Sequence, residues 1–174
     1  MSPDGKIMAA VELAPDNYPQ SVMLRNAASG QKIKALHHPH LEAFRYPNDV
    51  DVEFSPDSRK LSVVWEPSFK RREAPGVVQL WDLPTGNLIA TLQDKDKDLQ
   101  GPVPIVRFTA DSKLLTLRGG YILNKLKVRD ASTGKLIRTL KGKQGDFTSV
   151  DLSPDGQMAA AGGEDGIVRL WRIR

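Results

Sequence analysis

The sequence predicts an all-β chain assembled from about four repeats of one antiparallel unit. Three observations predict it. A turn phrase recurs as MSPDGKIMAA at the start, FSPDSRKLSV at 54–63, FTADSKLLTL at 108–117 and LSPDGQMAAA at 152–161. A second phrase runs in step with it: LRNAASGQKIKAL at 24–36, LWDLPTGNLIATL at 80–92 and VRDASTGKLIRTL at 128–140. Between them lie short runs that alternate apolar and polar residues, with no helical period of any length.

Each unit reads as four strands, a to d. VDVEF (50–54), PIVRF and TSVDL alternate as a half-buried strand a should. The SPDG-type phrase that follows is a tight turn. Proline presets φ, aspartate bonds its own backbone, and glycine accepts φ > 0. Strand b is KLSVVW, KLLTLR or QMAAAG, and strand c is GVVQLWDL or GIVRLWRI. A T-G or S-G turn, with Gly30, Gly86 or Gly134, leads into strand d: QKIKAL, NLIATL or KLIRTL. The units fall at approximately 1–49, 50–101, 102–145 and 146–174 within one domain. By this count the first unit lacks strand a and the last lacks strand d.

A unit of roughly 44–54 residues, with SPDG after strand a, Trp81-Asp82 or Arg129-Asp130 closing strand c and TG before an apolar strand d, resembles the WD repeat (WD40) of β-propellers. The resemblance covers essentially the whole chain. It implies a β-propeller segment of about four four-stranded antiparallel blades, incomplete at both ends. The family's Gly-His pair is nearly absent; His37 follows Leu36 instead. The family often wires a blade through Asp, His, Ser/Thr and Trp. The fourth unit keeps Asp165, Ser149 and Trp171 without a histidine, and the second keeps Trp81. These residues are structural candidates, and the blades are expected to rely more on packing than on that network. Trp65, Trp81 and Trp171 are expected in the core.

A missing strand leaves a bare edge of unpaired backbone groups. Three readings accommodate this. The chain is a fragment of a longer propeller, two copies pair into an eight-bladed ring, or four blades form a compact or open body alone. The first is preferred, because Met1 stands where Phe54, Phe108 and Leu152 stand in the other copies.

Composition narrows the function. With 40% hydrophobic and 26% charged residues, the 174-residue chain reads as a soluble globular protein large enough for a core. It has no apolar run of membrane-spanning length, so no membrane association is expected. No cysteine is present, which excludes disulfides, thiolate metal sites and cysteine nucleophiles and fits a cytoplasmic location. A net charge of +4 spread along the chain makes nucleic acid an unfavoured partner.

Motifs that carry chemistry fail on spacing. HHPH (37–40) has no companion Cys or carboxylate at a metal-binding interval, and Pro39 limits convergence of the imidazoles. DKDKD (94–98) begins like a calcium loop, but Leu99 and Ile105 stand where glycine and glutamate are needed. ASTGKLI lacks a phosphate loop's first glycine and its Ser/Thr after Lys135, and no G-x-S-x-G occurs. No enzyme activity, cofactor or metal is expected.

The turns a–b and c–d are short, whereas the connections b–c and d–a are long: Glu12–Gln20, His37–Asn48, Glu66–Gly76, Gln93–Val103 and Arg118–Lys125. Long loops on one side of a rigid scaffold carry recognition. In the family this side commonly holds peptides and proteins, which implies the same here. Tyr46, Phe69 and Tyr121 are aromatic anchors, and Lys70, Arg71 and Arg72 make a basic patch beside Phe69, suited to a partner with acidic residues. The leading expectation is a non-catalytic scaffold binding a protein or peptide. The alternatives are a nucleic-acid-contacting propeller or the regulatory propeller of a longer signalling enzyme.

Overall fold

The computed structural model describes residues 1–13, 19–37, 50–65, 77–92, 105–112, 114–118, 125–142 and 147–173. They form fourteen strands in four antiparallel sheets. Blade one is β1 (Ile7–Leu13), β2 (Pro19–Asn26) and β3 (Lys32–His37). Blade two is β4 (Val50–Phe54), β5 (Lys60–Trp65), β6 (Val77–Asp82) and β7 (Asn87–Leu92). Blade three is β8 (Ile105–Phe108), β9 (Leu114–Arg118), β10 (Lys125–Asp130) and β11 (Leu136–Lys141). Blade four is β12 (Phe147–Leu152), β13 (Met158–Gly163) and β14 (Val168–Arg172). Neighbours in sequence are neighbours in each sheet, so every blade is a meander. The order agrees with the expected β-propeller segment, three-stranded at both ends. The β1–β2 hairpin is longer than the sequence suggests: Glu12 and Leu13 belong to β1, and Pro19 and Gln20 to β2.

Alternation sends each blade's apolar residues toward its two neighbours. Val22, Leu24 and Leu36 of blade one meet Leu61, Val63, Trp65 and Val77 of blade two. Val64, Val78, Leu80 and Leu92, from the other face of blade two, meet Val106, Phe108 and Ala131 of blade three. Leu126, Val128 and Leu140 of blade three meet Phe147, Ala159, Ala161 and Ile173 of blade four. The core is therefore three separate layers, each lying between two sheets. At the hub, β4 and β8 touch, and Arg107 Nη1 meets Glu53 Oε2 at 2.9 Å. Burial pushes the Glu53 carboxyl above its ordinary range, against the pull of the Arg107 charge.

The short turns repeat their chemistry. Ser2, Ser55, Thr109 and Ser153 each donate a side-chain hydroxyl to the aspartate two residues on, at 2.5–2.7 Å. The Ser2 and Ser153 hydroxyls hold the Asp4 and Asp155 carboxyls below the usual carboxylate range. The left-handed turn position is glycine in blades one and four, as expected, but Ser58 (φ 59°) and Ser112 (φ 58°) occupy it in blades two and three. Each serine has a compensating bond. Asp4 N–H donates to Ser58 Oγ and Asp57 N–H to Ser112 Oγ, both at 3.0 Å. A left-handed non-glycine residue costs roughly 1–2 kcal/mol, and a hydrogen bond returns about 1 kcal/mol. The serines thus convert turn strain into a tie between blades.

The turns that close strand c also pack across blades. A β-carbon on Gly134 (φ 72°) would lie 2.5 Å from Ala90 Cβ and 3.0 Å from Leu92 Cδ2, both on β7 of the preceding blade. Gly30 has nearly the same φ, 69°, and nothing within 4 Å. We expect Gly30→Ala to cost about 1 kcal/mol for backbone strain, and Gly134→Ala about 2–4 kcal/mol because overpacking adds to it. Urea denaturation of the two variants reads the difference, which belongs to the contact between blades two and three.

Candidate interaction face

The five long connections leave the same end of the sheets: β1 to β2, β3 to β4, β5 to β6, β7 to β8 and β9 to β10. Tyr46, Phe69, Lys70, Arg71, Arg72 and Tyr121 lie on these connections, outside the described residues. So do His38 and His40 of the histidine cluster and the DKDKD run. What the structure shows is the platform from which the loops depart.

At the end of β5, Trp65 is fully buried and donates Nε1–H to Gln79 Oε1 at 2.8 Å. Gln79, equally buried on β6, donates Nε2–H to the carbonyl oxygen of His37 at 3.1 Å. This chain ties both sides of the 66–76 connection to the last residue of blade one. Both side chains are buried, and the sequence reading missed the pair. The signal was a lone glutamine at an inward position of VVQLWD, where its neighbours on the strand are apolar. His37 enters through its backbone.

The structural candidates are distributed rather than gathered. Asp82 accepts from the Thr85 backbone N–H at 3.1 Å and from the Thr85 hydroxyl at 2.5 Å. Asp130 accepts from Ser132 N–H at 2.8 Å and its hydroxyl at 2.5 Å, and from Thr133 N–H at 3.0 Å. The Ser132 hydroxyl leads in holding the Asp130 carboxyl below its ordinary range. Both aspartates therefore shape the turn after strand c. Trp81 packs beside the layer between blades one and two, with its Nε1–H buried and unsatisfied, and Lys34 Nζ lies 5.6 Å from its ring centre. Trp171 packs edge-on to Phe147, ring centres 5.6 Å apart, at the layer between blades three and four. All three tryptophans thus contact the core layers, and Trp65 alone is fully enclosed.

In blade four, the Arg169 guanidinium holds Asp165, and Ile167 N–H donates to the same carboxylate at 3.1 Å. The Arg169 bond is the main reason its carboxyl sits at about 2. Ser149 lies across the β12–β13 pair from Gly162. The carboxylate that the family's network would direct at a histidine is here engaged by an arginine two residues before Trp171. Among the described residues, no group of three His, Cys, Asp or Glu could hold a metal. No helix among them is long and apolar enough to cross a membrane.

The description "WD domain, G-beta repeat" matches residues 134–172. They run from Gly134, through strand d of blade three, to the last strand of blade four. Residues 134–172 are a WD repeat. The chain is 37% identical over 73 residues to small ribosomal subunit protein RACK1y of Oryza sativa subsp. japonica, covering 42% of this chain and 22% of that protein. It is 25% identical over 97 residues to target of rapamycin complex subunit LST8 of Saccharomyces cerevisiae, covering 56% of this chain and 30% of that protein. The matched stretches span well under half the length of these relatives. Hydrazine synthase of Kuenenia stuttgartiensis shares the fold over 99% of this chain and 57% of that one, with TM-score 0.65 and 18% identity.

Gln79→Leu removes both bonds of the buried network, to Trp65 Nε1–H and to the His37 carbonyl. A loss of about 1–3 kcal/mol in unfolding free energy is expected. Because Trp65 and Gln79 share a bond, Trp65→Phe combined with Gln79→Leu should lose less than the sum of the single changes. Chemical denaturation of the four proteins measures the coupling.

Proposed function

We propose that this WD-repeat chain is a non-catalytic protein-interaction module of the cytoplasm, binding a protein or peptide partner on the face of its long connections. The observation that carries the reading is the combination of fold and relatives. Two of the relatives are components of assemblies, a small ribosomal subunit protein and a target of rapamycin complex subunit. The fold supports it too, because packed sheets hold the departure points of the five long connections on one side, and buried Trp65 and Gln79 stiffen the base of the 66–76 connection.

In this reading Phe69, Tyr46 and Tyr121 are apolar anchors, and Lys70, Arg71 and Arg72 select a partner bearing acidic residues. Immobilised chain, cross-linked in extract of its own cells and analysed by mass spectrometry, should retain a defined protein. Phe69→Ala should weaken that capture at least tenfold, equivalent to about 1.4 kcal/mol. Lys70→Glu/Arg71→Glu/Arg72→Glu should abolish it without changing the circular dichroism spectrum. Retention of the same protein by both variants would defeat the assignment of this face.

A further inference from the structure

Two features that the fold does not require recur on the outermost strands. The first is charge. β3, β11 and β14 carry Lys32, Lys34, Arg138, Lys141, Arg169 and Arg172, β7 carries no charged residue, and none of the four has an acidic one. The hub strands β4, β8 and β12 hold Asp51, Glu53 and Asp151 against the single base Arg107.

The second is a bulge at one repeated position. In blade three, Arg129 pairs with Leu136 and Val128 with Arg138, so Ile137 is the extra residue. Blades one and two repeat this. Arg25 pairs with Lys32 and Leu24 with Lys34, leaving Ile33, and Trp81 pairs with Leu88 and Leu80 with Ala90, leaving Ile89. An inserted residue twists an edge strand and re-aims its side chain. Ile89 is partly buried against the layer between blades two and three. Ile137 stays 50% exposed, and Leu136 beside it 49%.

Among the described residues β11 pairs only with β10, so alternate N–H and C=O groups of its outer edge face away from the sheet. Residues 135–138, Lys-Leu-Ile-Arg, are exposed in succession, and Lys141 is exposed at the far end. Lysines on an edge repel other edges of like charge. They leave room for a strand of opposite charge, and the adjacent, exposed Leu136 and Ile137 give it apolar surface to cover.

We propose that the outer edge of β11 docks an extended segment of a protein partner, alternating acidic and apolar residues, by strand addition. The backbone of β11 supplies the ladder, Leu136 and Ile137 receive the apolar side chains, and Lys135 and Lys141 pair with the carboxylates. This edge is distinct from the face of the long connections and stands or falls separately.

The test uses the full 174-residue chain and a fluorescein-labelled peptide of alternating glutamate and valine, followed by anisotropy. Binding should weaken as salt rises and fall at least tenfold with Ile137→Glu and with Lys141→Glu, both exposed positions. Amides of β11 should gain hydrogen-exchange protection with peptide bound, while Lys70→Glu/Arg71→Glu/Arg72→Glu should bind the peptide as the parent does. A peptide with lysine in place of glutamate should not bind. The proposal is overturned if the lysine peptide binds equally, if neither β11 variant changes the affinity, or if single-stranded DNA displaces the peptide at equal charge concentration. That last result would mean a basic surface recognised without its edge.

Discussion

No sheet of this protein can bury its own apolar residues; each needs the sheet beside it. That constraint organises everything else. Val64 and Leu80 of blade two are solvent-free only because Val106 and Phe108 of blade three cover them, just as Leu126 and Val128 need Phe147 and Ala161 of blade four. Burying a Val, Leu, Ile or Phe side chain contributes roughly 1.5–3 kcal/mol, and each layer holds several, so burial between blades outweighs any single polar tie. Stability of this kind is a sum over nearest neighbours.

The polar contacts follow the same direction, from one blade to the next. Ser58 and Ser112 link consecutive short turns, and Gln79 links β6 to the end of β3. Lys34 reaches the Gly86 carbonyl, and Arg138, at the matching place in blade three, donates to the Arg172 carbonyl at 2.9 Å. In blade two that place belongs to Ala90, which packs against Gly134 instead. One repeated position therefore makes a charged tie twice and an apolar contact once. Each solution suits the turn it faces, and each fixes the spacing of the sheets that carry the long connections.

Much of this was legible in the sequence. The recurring SPDG and TG phrases locate the short turns, and alternation in VDVEF and KLSVVW locates strands, because both signals are local. Asp82 and Asp130 were legible as the ends of strand c, but that each closes the next turn by accepting from Thr85, or from Ser132 and Thr133, emerges from the hydrogen bonds. What lay beyond the sequence was pairing across blades. Nothing in SPDS shows that Ser58 will accept a left-handed backbone, since the compensating N–H belongs to Asp4, far away in the chain. Gln79 was invisible for a like reason, as its partners come from two different strands. Asp165 fits a family network on paper, but Arg169, four residues on, takes it, and only geometry decides between two partners. The loop residues Tyr46, Phe69, Lys70, Arg71, Arg72 and Tyr121 rest on the sequence reading.

Burial between neighbouring blades, rather than within each sheet, holds the structure. Native-state hydrogen exchange on Leu80→Ala reads this out. Leu80 lies on β6 and is fully buried against blade three. If the layer is shared, amides of β8 to β11 should lose protection along with those of β4 to β7, by comparable factors, while β1 and β14 change less. Loss confined to β4 to β7, with β8 to β11 unchanged, would show that each sheet stands alone and would contradict the account.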